Sequence, residues 1–197
     1  MNSNLDELKK IVDKSPFHLA PNRNLNLRFK SLFEAGGGIT EYSDRIIDSM
    51  EHSPLDSDAM ISLMTPAFQR SNKKWSRSMK TQFMENLMGG CATNIQFYSI
   101  KGGETMLGNC KILDGLQRLT ACSDYQLNKF PVFGKYYWRD VNHGGTFPRL
   151  RLQLSIYEFD TEIEACEHYI HYNRGITHSE EDLQTAYEFM SQQHTDR

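Results

Sequence analysis

The residues best suited to chemistry in this 197-residue chain are Asp114, Gly115 and Arg118, where an apolar β-rich run gives way abruptly to a helical pattern. A glycine at a strand-to-helix turn lets backbone approach a ligand closely, and the new helix presents N–H groups with no intrahelical partner. An anion binds readily at such a place. Arg118 lies one turn inside to hold it. Asp114, at the mouth, is placed to bind a metal on a phosphate or to orient a water. The plainer reading is that Asp114 caps the helix and Arg118 pairs with a nearby acid; chemistry alone leaves both open. A second segment, Pro66 to Arg70 followed by Trp75, is a proline-stiffened turn that displays Gln69 and Arg70. It too suits an anion or a polar ring.

Other candidates are weighed against plainer roles. Between Arg70 and Lys80 there are five basic residues and no acid, whereas Glu158 to the end holds ten acids against two arginines. Lys73, Lys74, Trp75, Arg77 and Lys80 are therefore candidate contacts to a nucleic-acid backbone, and a solvated helix face is the alternative. A net charge of −3 argues against a protein coated in nucleic acid. Gly36 to Gly38 and the pair Gly102 and Gly103 lack the Lys-Ser/Thr of a phosphate-binding loop and read as turns. Cys91, Cys110, Cys122 and Cys166 lie far apart, without a CxxC pair, and read as reduced thiols. His168 and His171 share a helix with Glu164, Cys166 and Glu167, and read as incidental helix residues more readily than as a metal site. Asn142 and His143 sit in a Gly-rich loop without the metal spacing of a nuclease.

These residues need a frame. The chain suits one domain, and 39% apolar with 11% aromatic residues is a globular composition. No run of about 18 apolar residues exists to cross a membrane, and MNSNLDELKK is no secretory signal, so a cytosolic protein with no membrane partner is expected. Residues 1–40 read as an irregular appendage, with a helical turn or two from Asp6 to Lys14 before Pro16, Pro21 and an Asn-rich run. The domain is expected over 41–197, opening with a helix capped by Thr40 that carries Ile46, Ile47 and Met50. A short strand is predicted over Ala59 to Met64. Ser76 caps a helix with a core stripe of Met79, Phe83 and Leu87, flanked by Met84 and Met88 and stopped by Gly89 and Gly90. Strands follow over Asn94 to Ile100 and Met106 to Leu113, then the helix beyond Gly115. Short aromatic strands are expected over Phe130 to Trp138. Arg149 to Tyr157 alternates strictly and is the strongest strand signal. Thr161 and Ser179 begin the last two helices. Strands and helices interleave without a βαβ rhythm, and the class is α+β.

Taken in order, the two boxes resemble the ParB/sulfiredoxin-like superfamily. The nearest likeness is to the DGQQR-box family that forms the N-terminal half of GmrSD-type modification-dependent restriction enzymes. The residues that carry it are Pro66 to Arg70, Trp75, the helix end Met84 to Gly89, Ile112 to Ala121 (ILDGLQRLTA), and Tyr172 to Gly175 followed by Glu181 to Leu183. The resemblance spans about residues 58 to 190. It implies a small mixed sheet flanked by helices with a helical C-terminal segment. It also implies nucleoside-triphosphate binding and Mg²⁺-dependent hydrolysis, coupled to control of DNA cleavage in restriction or phage defence. On that pattern Asp114 serves metal or water, Gly115 close backbone approach, and Gln117 the orientation of water or phosphate. Arg118 and Arg70 stabilise phosphate charge, with Gln69 beside them, and Asn173 and Arg174 close the far side. Leu116 stands where the family has a glutamine. If that glutamine contacts nucleotide or water, Leu116 removes the function; if it packs on the helix, Leu116 is neutral. No nuclease half accompanies the boxes. The alternative is thus a non-catalytic module that binds nucleotide, DNA or a nuclease or defence partner, as an immunity or anti-immunity factor does. Direct DNA nicking ranks last.

Overall fold

The computed structural model describes residues 20–33, 57–69, 75–101, 110–142, 150–174 and 179–195, together with 7, 8 and 10. Four strands form one mixed sheet in the order β1-β4-β2-β3, where β1 is Arg23–Arg28, β2 Asn94–Ile100, β3 Lys111–Asp114 and β4 Arg151–Phe159. β4 runs parallel to β2, with Ile156 beside Phe97, while β1 and β3 pair antiparallel at the two edges. Six helices cover the sheet: α1 Ser57–Met64, α2 Arg77–Met88, α3 Leu116–Gln126, α4 Trp138–Val141, α5 Glu162–Asn173 and α6 Glu180–Thr195. The expected α+β class is observed.

The alternation of β4 sorts the core into two layers. Leu152, Leu154 and Ile156 share one face with Ile95, Phe97 and Ile112, and α1, α2 and α3 bury Met60, Met64, Met84, Leu87, Leu116, Leu119 and Tyr125 against them. The other face presents Tyr98, Leu113 and Phe159 to Phe68 and to α5 and α6, through Cys166, Tyr169, Leu183 and Ala186. β2 is buried on both faces, as a strand between two helical layers must be. Ser76 accepts a hydrogen bond from the Met79 amide, Thr161 from the Glu164 amide, and Ser179 from the Asp182 amide, so these three helices start where their caps predict.

Three expectations are corrected. Ala59 to Met64 is helical, not a strand; its apolar residues Met60, Ile61 and Met64 lie at helical spacing and bury one stripe. Residues 23–28, read as irregular appendage, form strand β1, with Leu25 against Leu154 and Leu27 against Leu152. Arg23, Asn24, Asn26 and Arg28 blunt that edge with polar side chains, the last three alternating with Leu25 and Leu27. The aromatic stretch after Phe130 is no pair of strands: Val132 bridges Tyr136 across a tight turn, and Trp138 opens the short helix α4. Within the α2 stripe, Met79 is exposed rather than buried. The helix expected after Thr40, the Gly36 and Gly102 turns, His143 and residues 106–109 lie outside the described residues.

Candidate functional site

The junction of β3 with α3 depends on one glycine. Gly115 is the N-cap of α3 at φ +96°, in the left-handed region. A Cβ there would meet Ile95 Cγ2 at 3.1 Å, Ile95 Cα at 3.3 Å and Arg118 Nε at 3.2 Å. The close approach demanding glycine is thus to the neighbouring strand β2 and to the arginine one turn on. Arg118 folds back over this glycine and pairs with the Asp114 carboxylate, both side chains partly buried. Among the described residues no side chain, Asp114 included, is seen to cap the helix. The first-turn amides of α3 therefore face the mouth without a cap, and the Asp114–Arg118 pair stands beside them.

The Pro66 to Trp75 segment assembles on this turn. Phe68 is buried between Tyr98 and Tyr169, with ring centroids 5.9 and 5.5 Å away. Next to it, buried Gln69 donates its side-chain amide to the backbone oxygens of Leu113 at 2.8 Å and Ile112 at 3.3 Å. That amide nitrogen fixes the end of β3 and so positions Asp114. Gln117, in the first turn of α3, is 94% buried, its 6% exposure leaving little contact with solvent. Its oxygen accepts the Trp75 backbone N–H at 3.2 Å. Its Nε2 has no partner among the described residues, a state that costs about 1–3 kcal/mol unless something answers it. Leu116 points the other way, into the core. Two boxes about 45 residues apart in sequence are thus one structural unit.

The remaining candidates divide. Asn173 is buried, and its side-chain amide donates to the Tyr169 backbone oxygen at 2.9 Å. Since Tyr169 packs on Phe68, this places the last turn of α5 beside the Phe68 and Gln69 segment. Arg174 is exposed and pairs with Glu180 at 3.3 Å. Arg77 is exposed, and the Trp75 ring lies against Phe83 at 5.4 Å. Arg70, Lys73 and Lys74 lie outside the described residues. Lys80 is turned inward, 2.6 Å from Asp124.

That contact belongs to a polar cluster the sequence did not disclose. Asp124, buried on α3, receives Lys80 on one oxygen and Lys129 on the other, at 2.8 Å. Lys129 also pairs with Asp58 of α1. Ser123 donates to Asp58 at 3.1 Å and shares a hydrogen bond with Ser57 at 2.5 Å. Burial works against the Asp124 carboxylate, but the hydrogen bonds from Lys129 and Lys80 outweigh it and hold the group below the ordinary range. Asp58, Lys80 and Asp124 line a cleft of about 510 Å³ together with Ile61, Thr65 and Trp75. Its one sequence signal was the group of polar residues Thr120, Ser123 and Asp124 in the middle and second half of the helix.

The thiols are free, and three of the four are buried. Burial pushes Cys110 and Cys166 up to about 12, so neither is a thiolate nucleophile at neutral pH. His168 is buried among the rings of Tyr157, Phe159 and Tyr172, whereas His171 is exposed; they do not face one ion. No group of three or more metal-ligating residues converges among the described residues. A divalent cation would fit at Asp114 through a ligand's phosphate oxygens, the usual way Mg²⁺ is held by one carboxylate. No described helix is long and apolar enough to cross a membrane. Comparison of the chain with family models, curated proteins and solved structures finds no significant match.

Proposed function

We infer that this chain binds a nucleoside triphosphate at the β3–α3 turn and hydrolyses it, as a domain serving the control of DNA restriction or defence. The observation that carries the binding is Gln117, a nearly buried amide whose nitrogen has no partner among the described residues, beside a helix N-terminus with no side-chain cap among them. Phosphate oxygens answer both, accepting from Gln117 Nε2 and from the first-turn amides. Arg118 would leave Asp114 for the phosphate charge, and Asp114 would then be free to hold Mg²⁺ on the nucleotide or to orient water. Bound Mg²⁺ would neutralise part of the phosphate charge. Gly115 keeps the backbone low at the mouth, Gln69 fixes the β3 end, and Asn173 lies on the side facing Phe68. The link to restriction or defence rests on the motif resemblance alone.

The same turn also supports a second reading, a module that binds nucleotide without turnover, because Asp114 is already neutralised by Arg118. One pair of measurements separates them. Calorimetry with each common nucleoside triphosphate should show binding that is tighter with Mg²⁺ than without. Phosphate release, with and without DNA, then distinguishes hydrolysis from mere binding. No heat with any triphosphate at about millimolar concentration, some 4 kcal/mol of affinity, would remove both readings.

A further inference from the structure

Between α3 and α4 the chain makes a tight turn whose sequence contradicts its backbone. Val132 and Tyr136 exchange backbone hydrogen bonds at 2.9 and 3.0 Å, and the Lys135 amide donates to the Val132 oxygen at 3.2 Å. The two central residues, Phe133 at φ +48° and Gly134 at φ +76°, are both left-handed. That is the type I′ pattern, whose first central position belongs to Asn, Asp or Gly. A bulky aromatic there is strained. The fold returns nothing for the strain, because the Phe133 ring is 56% exposed and belongs to neither core. The Phe133 amide, donating to Glu85 of α2 at 2.6 Å, holds the turn in place. Strain kept at an exposed, anchored side chain points to a ligand for that side chain.

The surroundings indicate which ligand. Tyr136 is 42% exposed, with Lys135 Nζ 4.9 Å from its ring centre. Arg139 lies 5.1 Å over the Tyr137 ring. Lys135 makes no ion pair among the described residues, and the nearest acid to Arg139 is Asp140 at 3.9 Å. Asp140 also caps α4, accepting the Tyr137 amide at 2.9 Å. The exposed Phe133 ring stands beside two cations that lie over the Tyr136 and Tyr137 faces, which suits a single strand: a base stacks on the open ring and phosphates meet the cations. At the described end of the basic run, Lys80 is bound to Asp124 and the Trp75 ring lies on Phe83. We propose that the turn from Phe133 to Arg139 is a stacking surface for single-stranded nucleic acid. This stands independently of the nucleotide site.

The test uses the full chain, fluorescence anisotropy with a labelled oligothymidylate of about twenty nucleotides, which spans one such surface, and thermal melts. Phe133→Asn should change the two readouts in opposite directions. Asn tolerates the left-handed turn, so the melting temperature rises by a few degrees. Loss of one stacked base weakens oligothymidylate binding by about tenfold. Lys135→Ala should leave melting unchanged and flatten the salt dependence of binding. The proposal is overturned if wild-type protein fails to bind at about 0.05 M salt, where phosphate contacts are strongest. It also falls if Phe133→Asn binds like wild type, or if it melts lower because the ring was structural. A concentration-dependent dimer that Phe133→Asn dissolves would assign the surface to a second copy of the chain instead.

Discussion

Helix α3 carries a charged cluster at each end, and the two differ in whether their valences are filled. At the C-terminal end Asp124 uses both oxygens, on Lys80 and Lys129, and Lys129 is shared with Asp58, which in turn takes Ser123. At the N-terminal end the Asp114–Arg118 pair is partly exposed, no side chain caps the helix, and Gln117 Nε2 has no described partner. A filled network joins elements: this one ties α1, α2 and α3 together over the apolar layer they cover. At an unfilled one beside an N-terminus a ligand can add bonds at the cost of a single partly exposed ion pair. Perturbed ionisation alone points to the other end, because it marks Asp124, where the partners are internal.

The comparison fails first if Asp124 proves dispensable. Asp124→Ala strands Lys80 and leaves Lys129 with Asp58 alone, and should destabilise the chain by about 3 kcal/mol in urea unfolding. The pH dependence has a definite sign. The native carboxyl is held below its unfolded value, so its contribution is complete above about pH 4 and is lost as pH falls through the depressed native value. Lys129 is raised in the fold: burial opposes its charge, but Asp124 and Asp58 prevail. Its contribution is complete below about pH 10 and is lost as pH rises through the native value. Asp124→Asn should therefore flatten the acid limb of a stability profile. An acid limb identical to wild type would mean the network is not the joint between these helices.

Leu116 sharpens the same contrast from the apolar side. It sits between Gly115 and Gln117 in the chain, yet its side chain is 4% exposed and lies in the core. A glutamine here would bring a polar amide among Met84, Leu87 and Leu119. Leu116→Gln should therefore destabilise by about 2 kcal/mol without increasing phosphate release. A variant as stable as wild type with faster turnover would show that this position reaches the mouth of the turn.

The strands and helices legible from the sequence were those with a clear period or cap. β4 announced itself by strict alternation, α2, α5 and α6 by Ser76, Thr161 and Ser179, and the β3–α3 turn by its glycine. β1 was missed although Leu25 and Leu27 alternate with Asn24, Asn26 and Arg28, because only two half-buried leucines mark this edge strand within a Pro- and Asn-rich stretch. The helix α1 was mistaken because a short apolar run has no decisive period. For the site, sequence spacing identified Asp114, Gly115 and Arg118 but not their mutual pairing. That the glycine answers to Ile95, that Gln69 spends its amide nitrogen on β3, and that Lys80 turns inward are all tertiary facts. None has a local signal.

The smallest effect on stability, and the most telling one, is expected at Arg118. Its pairing with Asp114 is an i,i+4 contact between side chains 28% and 20% exposed. Such a pair contributes about 0.5 kcal/mol, so Arg118→Ala should barely move the melting temperature. The close approach of Gly115 to Ile95 does not depend on the guanidinium and is kept in the variant. If the turn is a phosphate site, the same variant loses a charge-assisted contact and nucleotide affinity falls by about ten- to a hundredfold. Asp114→Asn gives the converse: without Mg²⁺ it releases the guanidinium and should tighten binding of inorganic triphosphate. The two variants separate the roles of one ion pair. Should Arg118→Ala melt far below wild type while its folded fraction binds nucleotide normally, the pair at this end of α3 is as structural as the network at the other.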